Sequence, residues 1–166
     1  MFENSVVTIE QITTKIYYIR GSKIMFDRDL ASLYEVETRI LKRNVRRHID
    51  RFPDDFMFEL TKKEYDTLRS QFGTSSWGGS RYLPMAFTEQ GVAMLSGILN
   101  SRRAIQVNIQ IMRTFTKLRY MISEHTELKQ VVDELKQQTD EKFEVVFTVL
   151  DKLLADDEQS KKKIGF

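Results

Sequence analysis

Between Asp29 and Arg51 the chain reads DLASLYEVETRILKRNVRRHIDR, and this stretch constrains the fold more than any other. Leu30, Ala31, Leu33 and Tyr34 have the spacing of a short helix opening after Asp27, whose carboxylate is suited to cap it. Glu35-Val36-Glu37 breaks the pattern, with Val36 as a buried pivot. Thr38 then caps a second helix expected to run to about Arg51, because Phe52-Pro53 forces the backbone out of helical geometry. Two helices joined by so short a break have the form of a helix-turn-helix.

On a wheel of about 100° per residue with Leu41 at zero, Val45 falls near 40°, Ile49 near 80° and Phe52 near 20°, which makes one apolar stripe. His48, near about 340°, lies on that same side and reads as a packed residue. Lys42 falls near about 100°, Arg46 near 140°, Arg39 near 160°, Arg43 near 200° and Arg47 near 240°. Ile40, near about 260°, belongs to neither set. Like charges four residues apart cost an isolated helix about 0.2–0.5 kcal/mol per pair. A phosphate backbone would neutralise them and release counterions, and arginine also reads guanine edges in a major groove.

Upstream, Val6–Ile12 and Ile16–Arg20 are rich in β-branched and aromatic residues. Ile16–Arg20 and Lys23–Phe26, split by Gly21-Ser22, predict a β-hairpin whose Arg20 and Lys23 are further candidate contacts for nucleic acid. Downstream, Phe56–Leu60 reads as a strand, and Thr61 to Glu64 is a capping box opening a helix with Tyr65 and Leu68 inward. Arg81–Phe87 reads as a strand that Pro84 assigns to a sheet edge. Between them Gly73–Arg81 forms a loop in which Trp77 either stacks on a nucleobase or covers the core, and Arg81 lies at its end. Thr88 opens another helix. A long one begins near Ser101–Arg103 and carries Ile105, Ile109, Met112, Phe115 and Leu118.

From Leu128 onward Leu128, Val132, Leu135, Thr139, Lys142, Val146, Val149 and Leu153 follow steps of four and three, a coiled-coil seam weakened at Thr139 and Lys142, where the stripe shifts to Phe143, Phe147 and Leu150. Such a stripe needs cover, and the expected cover is a homo-oligomer through this helix, the alternative being the chain's own body. Charge divides at the same place. Residues 1–120 hold 19 Lys and Arg against 13 Asp and Glu, whereas residues 121–166 hold 7 against 11. A basic body with an acidic tail suits a polyanion partner.

The expected class is α+β, a small mixed domain over residues 8–120 with an N-terminal hairpin and a helix-turn-helix-like pair. A coiled-coil segment over 121–158 and a disordered tail over 159–166 follow. With 0 cysteines and 2 histidines, thiol chemistry and thiolate zinc sites are excluded and imidazole catalysis has little material. No phosphate-cradling loop, G-x-S-x-G elbow or H-E-x-x-H occurs, and Asp27/Asp29 and Asp54/Asp55 do not form a convincing metal pair. Neither an enzyme nor a cofactor is expected. No apolar run approaches a membrane span and the N-terminus lacks a signal-peptide pattern, so a cytoplasmic protein without membrane contact is expected.

The segments IRGSKIMFDRDLASLYEVETRILKRNVRRHIDRFPDDFMFELTKKE (19–64) and RSQFGTSSWGGSRYLPMAFTEQGVAMLSGILNSRRAIQVNIQIMR (69–113) resemble the ORF6N domain of phage and bacterial proteins, a relative of the KilA-N DNA-binding domains. The resemblance covers roughly residues 8–120. It implies a small α+β domain with a DNA-binding role in a phage-derived transcriptional regulator or antirepressor, often followed by a variable C-terminal module. It does not assign residues to DNA. The expected partner is double-stranded DNA, and the rival is a module that binds another regulator protein without touching DNA.

Overall fold

Arg20 and Gly21 both have positive φ (53° and 77°), and they join strand β1 (Tyr17–Ile19) to β2 (Ser22–Phe26) with Ile19 opposite Ser22. Two such residues are what a tight two-residue hairpin requires, so Arg20 belongs to the turn and Ser22 to the strand. The computed structural model describes residues 7–72, 83–124, 129–131 and 133–134. The expectations for Trp77, Arg81, Leu128, Val132, Leu135, Val146, Leu150 and Leu153, and for the tail 159–166, fall outside these residues.

The strands form one antiparallel sheet in the order β1-β2-β4-β3, with β3 at Met57–Glu59 and β4 at Met85–Thr88. This corrects the edge position expected from Pro84. The proline stands immediately before β4, where its missing N–H takes nothing from the ladder, and β4 is buried throughout at the centre. Pro84 still contributes its carbonyl, which accepts the Leu60 N–H at 3.0 Å.

A second correction concerns the N-terminal run. Despite its β-branched bias, Ile9–Thr13 is a helix, α1, because Thr8 and Gln11 form a reciprocal capping box (2.9 and 3.2 Å). Strand β2 then passes directly into α2 (Asp27–Tyr34). Asp27 does not cap it. The carboxylate is buried, accepting the Arg28 N–H (2.7 Å) and the Met85 N–H (3.0 Å), so it ties the start of α2 to β4. Glu35 ends α2 in the left-handed region (φ 61°), and the Val36 N–H returns to the Ala31 carbonyl at 3.0 Å. Val36 is half-buried against the core.

Helix α3 covers Thr38–Arg47, and a 3-10 turn over Ile49–Arg51 completes the segment. The helix is shorter than expected because His48 closes it, its Nδ1 sharing a hydrogen bond with the Asn44 carbonyl. The tighter turn rotates Ile49 out of the stripe, and it is 53% exposed rather than packed. Phe52, expected in the same stripe, is buried edge-on against Phe87. Helix α4 (Lys62–Phe72) carries the expected Thr61/Glu64 box, with Tyr65 and Leu68 inward.

Helix α5 (Glu89–Leu95) is capped by Thr88, and α6 (Arg102–Glu124) is contacted by α1, α2 and α5. Its buried face runs through Ala104, Val107, Ile111, Phe115 and Leu118. Ile105 and Ile109, expected to share that face, are each 46% exposed. The packed stripe starts one residue earlier than the isoleucines indicate. Within the core the Tyr34 hydroxyl donates to Asn108 Oδ1, while Asn108 Nδ2 donates to Ser96 Oγ at 2.8 Å. That link satisfies the polar groups where α2, α5 and α6 meet.

Candidate nucleic-acid interface

Leu41 and Val45 bury one side of α3, and the opposite side carries Arg39, Arg43, Arg46 and Arg47, all exposed. Two have acidic neighbours. Arg39 Nη2 lies 3.0 Å from Glu37 Oε2 and Arg46 Nη2 lies 4.0 Å from Glu59 Oε1, with both partners of each pair open to solvent. Exposed pairs of this kind are worth about 0–1 kcal/mol and yield readily to a stronger anion. Arg43 and Arg47 form no ion pair among the described residues. The four guanidinium groups thus share one solvent-facing side of a helix that the core holds in place.

Lys42 is the exception and corrects the reading of a five-cation face. It is 7% exposed, its amine 3.2 Å from Asp27 Oδ2 and donating to the Leu83 carbonyl at 3.0 Å. The wheel had placed it beside the apolar stripe, and its four-carbon stem follows that edge inward until the amine meets a buried carboxylate. Sequence reasoning missed Asp27 as its partner. The available signal was that Lys42 is the cation nearest the stripe. The pair joins α2, α3 and the approach to β4, and therefore fixes the direction in which the arginine face points.

The hairpin cations are held elsewhere. Arg20 grips Glu64 with Nε and Nη2, both at 2.9 Å, and its guanidinium lies 4.3 Å from the centre of the Phe58 ring. The two carboxylate bonds and Thr61 hold the Glu64 carboxyl below its usual range. Lys23 reaches towards Phe115, 5.8 Å from the ring centre. The structure therefore does not gather Arg20 and Lys23 into the α3 face. Trp77 and Arg81 are outside the described residues, although Leu83, just beyond their loop, is tied to α3 through Lys42.

Among the described residues no group of three or more His, Cys, Asp or Glu side chains is placed to hold a metal ion, and no helix is long and apolar enough to cross a membrane. Comparison with curated proteins and with solved structures finds no match. The ORF6N domain, by contrast, matches residues 14–98, a span from the approach to β1 through α5 that includes the whole sheet and α3. Since that match takes in just over half of the sequence, the chain belongs to the ORF6N domain family.

Proposed function

We propose that this protein binds double-stranded DNA through the exposed side of α3 and acts as a regulator. The observation that carries the reading is the placement of Arg39, Arg43, Arg46 and Arg47 on the solvent side of a helix whose other side is locked into the core. Membership of the ORF6N family is consistent with a phage-type regulatory or antirepressor-like domain. In the proposed mode α2 and α3 act as a helix-turn-helix, with α3 approaching the major groove and its arginines contacting phosphates or guanine edges. Guanidinium suits both tasks, being planar, permanently charged and able to bond in a bidentate manner.

Charge reversal tests it. The double variant Arg43→Glu/Arg46→Glu alters only exposed side chains, so its thermal unfolding is expected to match that of the parent while retardation of duplex DNA is lost. Retained affinity in a folded double variant contradicts α3 as the contact surface. If the parent chain binds no duplex at all, the protein-partner reading of the same surface replaces this one.

A further inference from the structure

Two uncharged residues stand among the arginines of α3. Ile40 is half-buried yet stays outside the described core, unlike Val36 and Leu83, which pack on it. Asn44, one turn later, is half-buried as well, and its side-chain amide forms no hydrogen bond among the described residues. Its backbone carbonyl alone is engaged there, by the His48 ring. Taken singly, either residue would be ordinary surface, but their spacing gives them a common position.

Ile40, Arg43, Asn44 and Arg47 follow at i, i+3, i+4 and i+7, so they form one face of the helix. The adjoining edge is different in kind. Arg39 and Arg46 lie there, with Glu37 at 3.0 Å and Glu59 at 4.0 Å, whereas Arg43 and Arg47 form no ion pair among the described residues. The face without acids therefore sets a carboxamide and an aliphatic side chain beside two guanidinium groups. These are the side-chain types that distinguish an A·T pair in a major groove. A carboxamide accepts from the adenine amino group and donates to the neighbouring ring nitrogen, and an apolar side chain packs on the thymine methyl. At about 1.5 Å per residue Ile40 and Asn44 are about 6 Å apart along the helix axis, the rise of about two base pairs.

We propose that Ile40 and Asn44 read base pairs, Asn44 bonding an adenine edge and Ile40 packing on a thymine methyl, so that the preferred duplex carries A·T pairs at two positions within about two base pairs of each other. The proposal rests on the DNA-binding reading of α3 and adds the sequence preference that phosphate contacts do not supply. The arginines anchor the helix on the duplex, and the two uncharged residues select where it rests.

Selection from a pool of random duplexes by the full chain tests this. The enriched sequences are expected to share A·T pairs at two such positions. The ratio of affinity for a selected duplex over a scrambled one is expected to fall about tenfold in Asn44→Ala. Replacing the selected thymine by uracil removes a single methyl group and should weaken binding of the parent about fourfold, the worth of one buried methyl. The same replacement should leave the affinity of Ile40→Ala unchanged. Replacing the selected adenine by 7-deazaadenine removes the ring-nitrogen acceptor and should weaken binding of the parent but not of Asn44→Ala. The base replacements measured on the parent do not depend on how either variant folds. Duplex binding without shared A·T positions would overturn this proposal and leave the DNA-binding reading standing. So would base replacements whose effects are absent in the parent or undiminished in the variants. A parent chain that binds no duplex would overturn both.

Discussion

Two neighbours on α3, Lys42 and Arg43, illustrate how little distance separates structure from surface. Lys42 sits in a buried pair with Asp27, and a carboxylate stripped of its partner in such a place is costly, up to about 3–5 kcal/mol. Asp27 keeps two backbone N–H donors, which places the expected loss at the lower end. Lys42→Met is therefore predicted to destabilise the fold by about 3 kcal/mol in urea unfolding. Arg43→Ala, altering an exposed side chain, should stay within about 0.5 kcal/mol. Equal effects would mean that the buried pair does not hold the helix.

Two carboxyls give stability opposite dependences on pH. Arg20 lowers the Glu64 pKa in the folded state, so the stability this adds is present above the unfolded pKa and is lost as pH falls through the folded value. Burial raises the Asp29 pKa, and its buried Oδ2 has no hydrogen-bond partner among the described residues. Its ionised form thus opposes folding above the folded pKa, and the penalty disappears as the group protonates in acid. Glu64→Gln is predicted to flatten the acid side of the stability profile. Asp29→Asn is predicted to raise the unfolding midpoint at neutral pH and to leave it unchanged in strong acid. A shift of the same size at both pH values would contradict this assignment for Asp29.

At the scale of elements, the close fit of α5 against the loop before β3 rests on Gly91. A Cβ there would lie 1.9 Å from the Phe56 carbonyl oxygen, a backbone atom with no flexible end to move aside. Gly91→Ala is expected to cost about 3 kcal/mol or more, read as a lowered melting temperature or loss of soluble protein. A variant that melts like the parent would mean that α5 can slide on its neighbours.

Elements with local signals were legible in the sequence: the Thr61/Glu64 box, the Thr88 cap, the hairpin at Gly21 and the two-helix rhythm around Val36. What escaped was set by tertiary contact. Pro84 looks like an edge residue until the strand begins one position later. Ile105 and Ile109 look like core until neighbouring helices select Ala104, Val107 and Ile111 instead. Lys42 looks like surface until Asp27, fifteen positions earlier, is folded beside it. The Thr8/Gln11 box was a local signal overlooked beneath the β-branched composition around it.

In the whole molecule, the division of charge along the chain supports a polyanion partner. The basic excess lies in residues 1–120, the span that holds the α3 arginines, and the acidic excess lies beyond it.

The most direct measurement is the affinity of the full chain for a DNA duplex as a function of salt concentration. Each phosphate neutralised contributes about −0.9 to the slope of log affinity against log salt. Four exposed arginines therefore predict a slope approaching about −3.6, and Arg43→Ala should bring it about one unit closer to zero. A slope near zero, or one that Arg43→Ala leaves unchanged, would contradict the account.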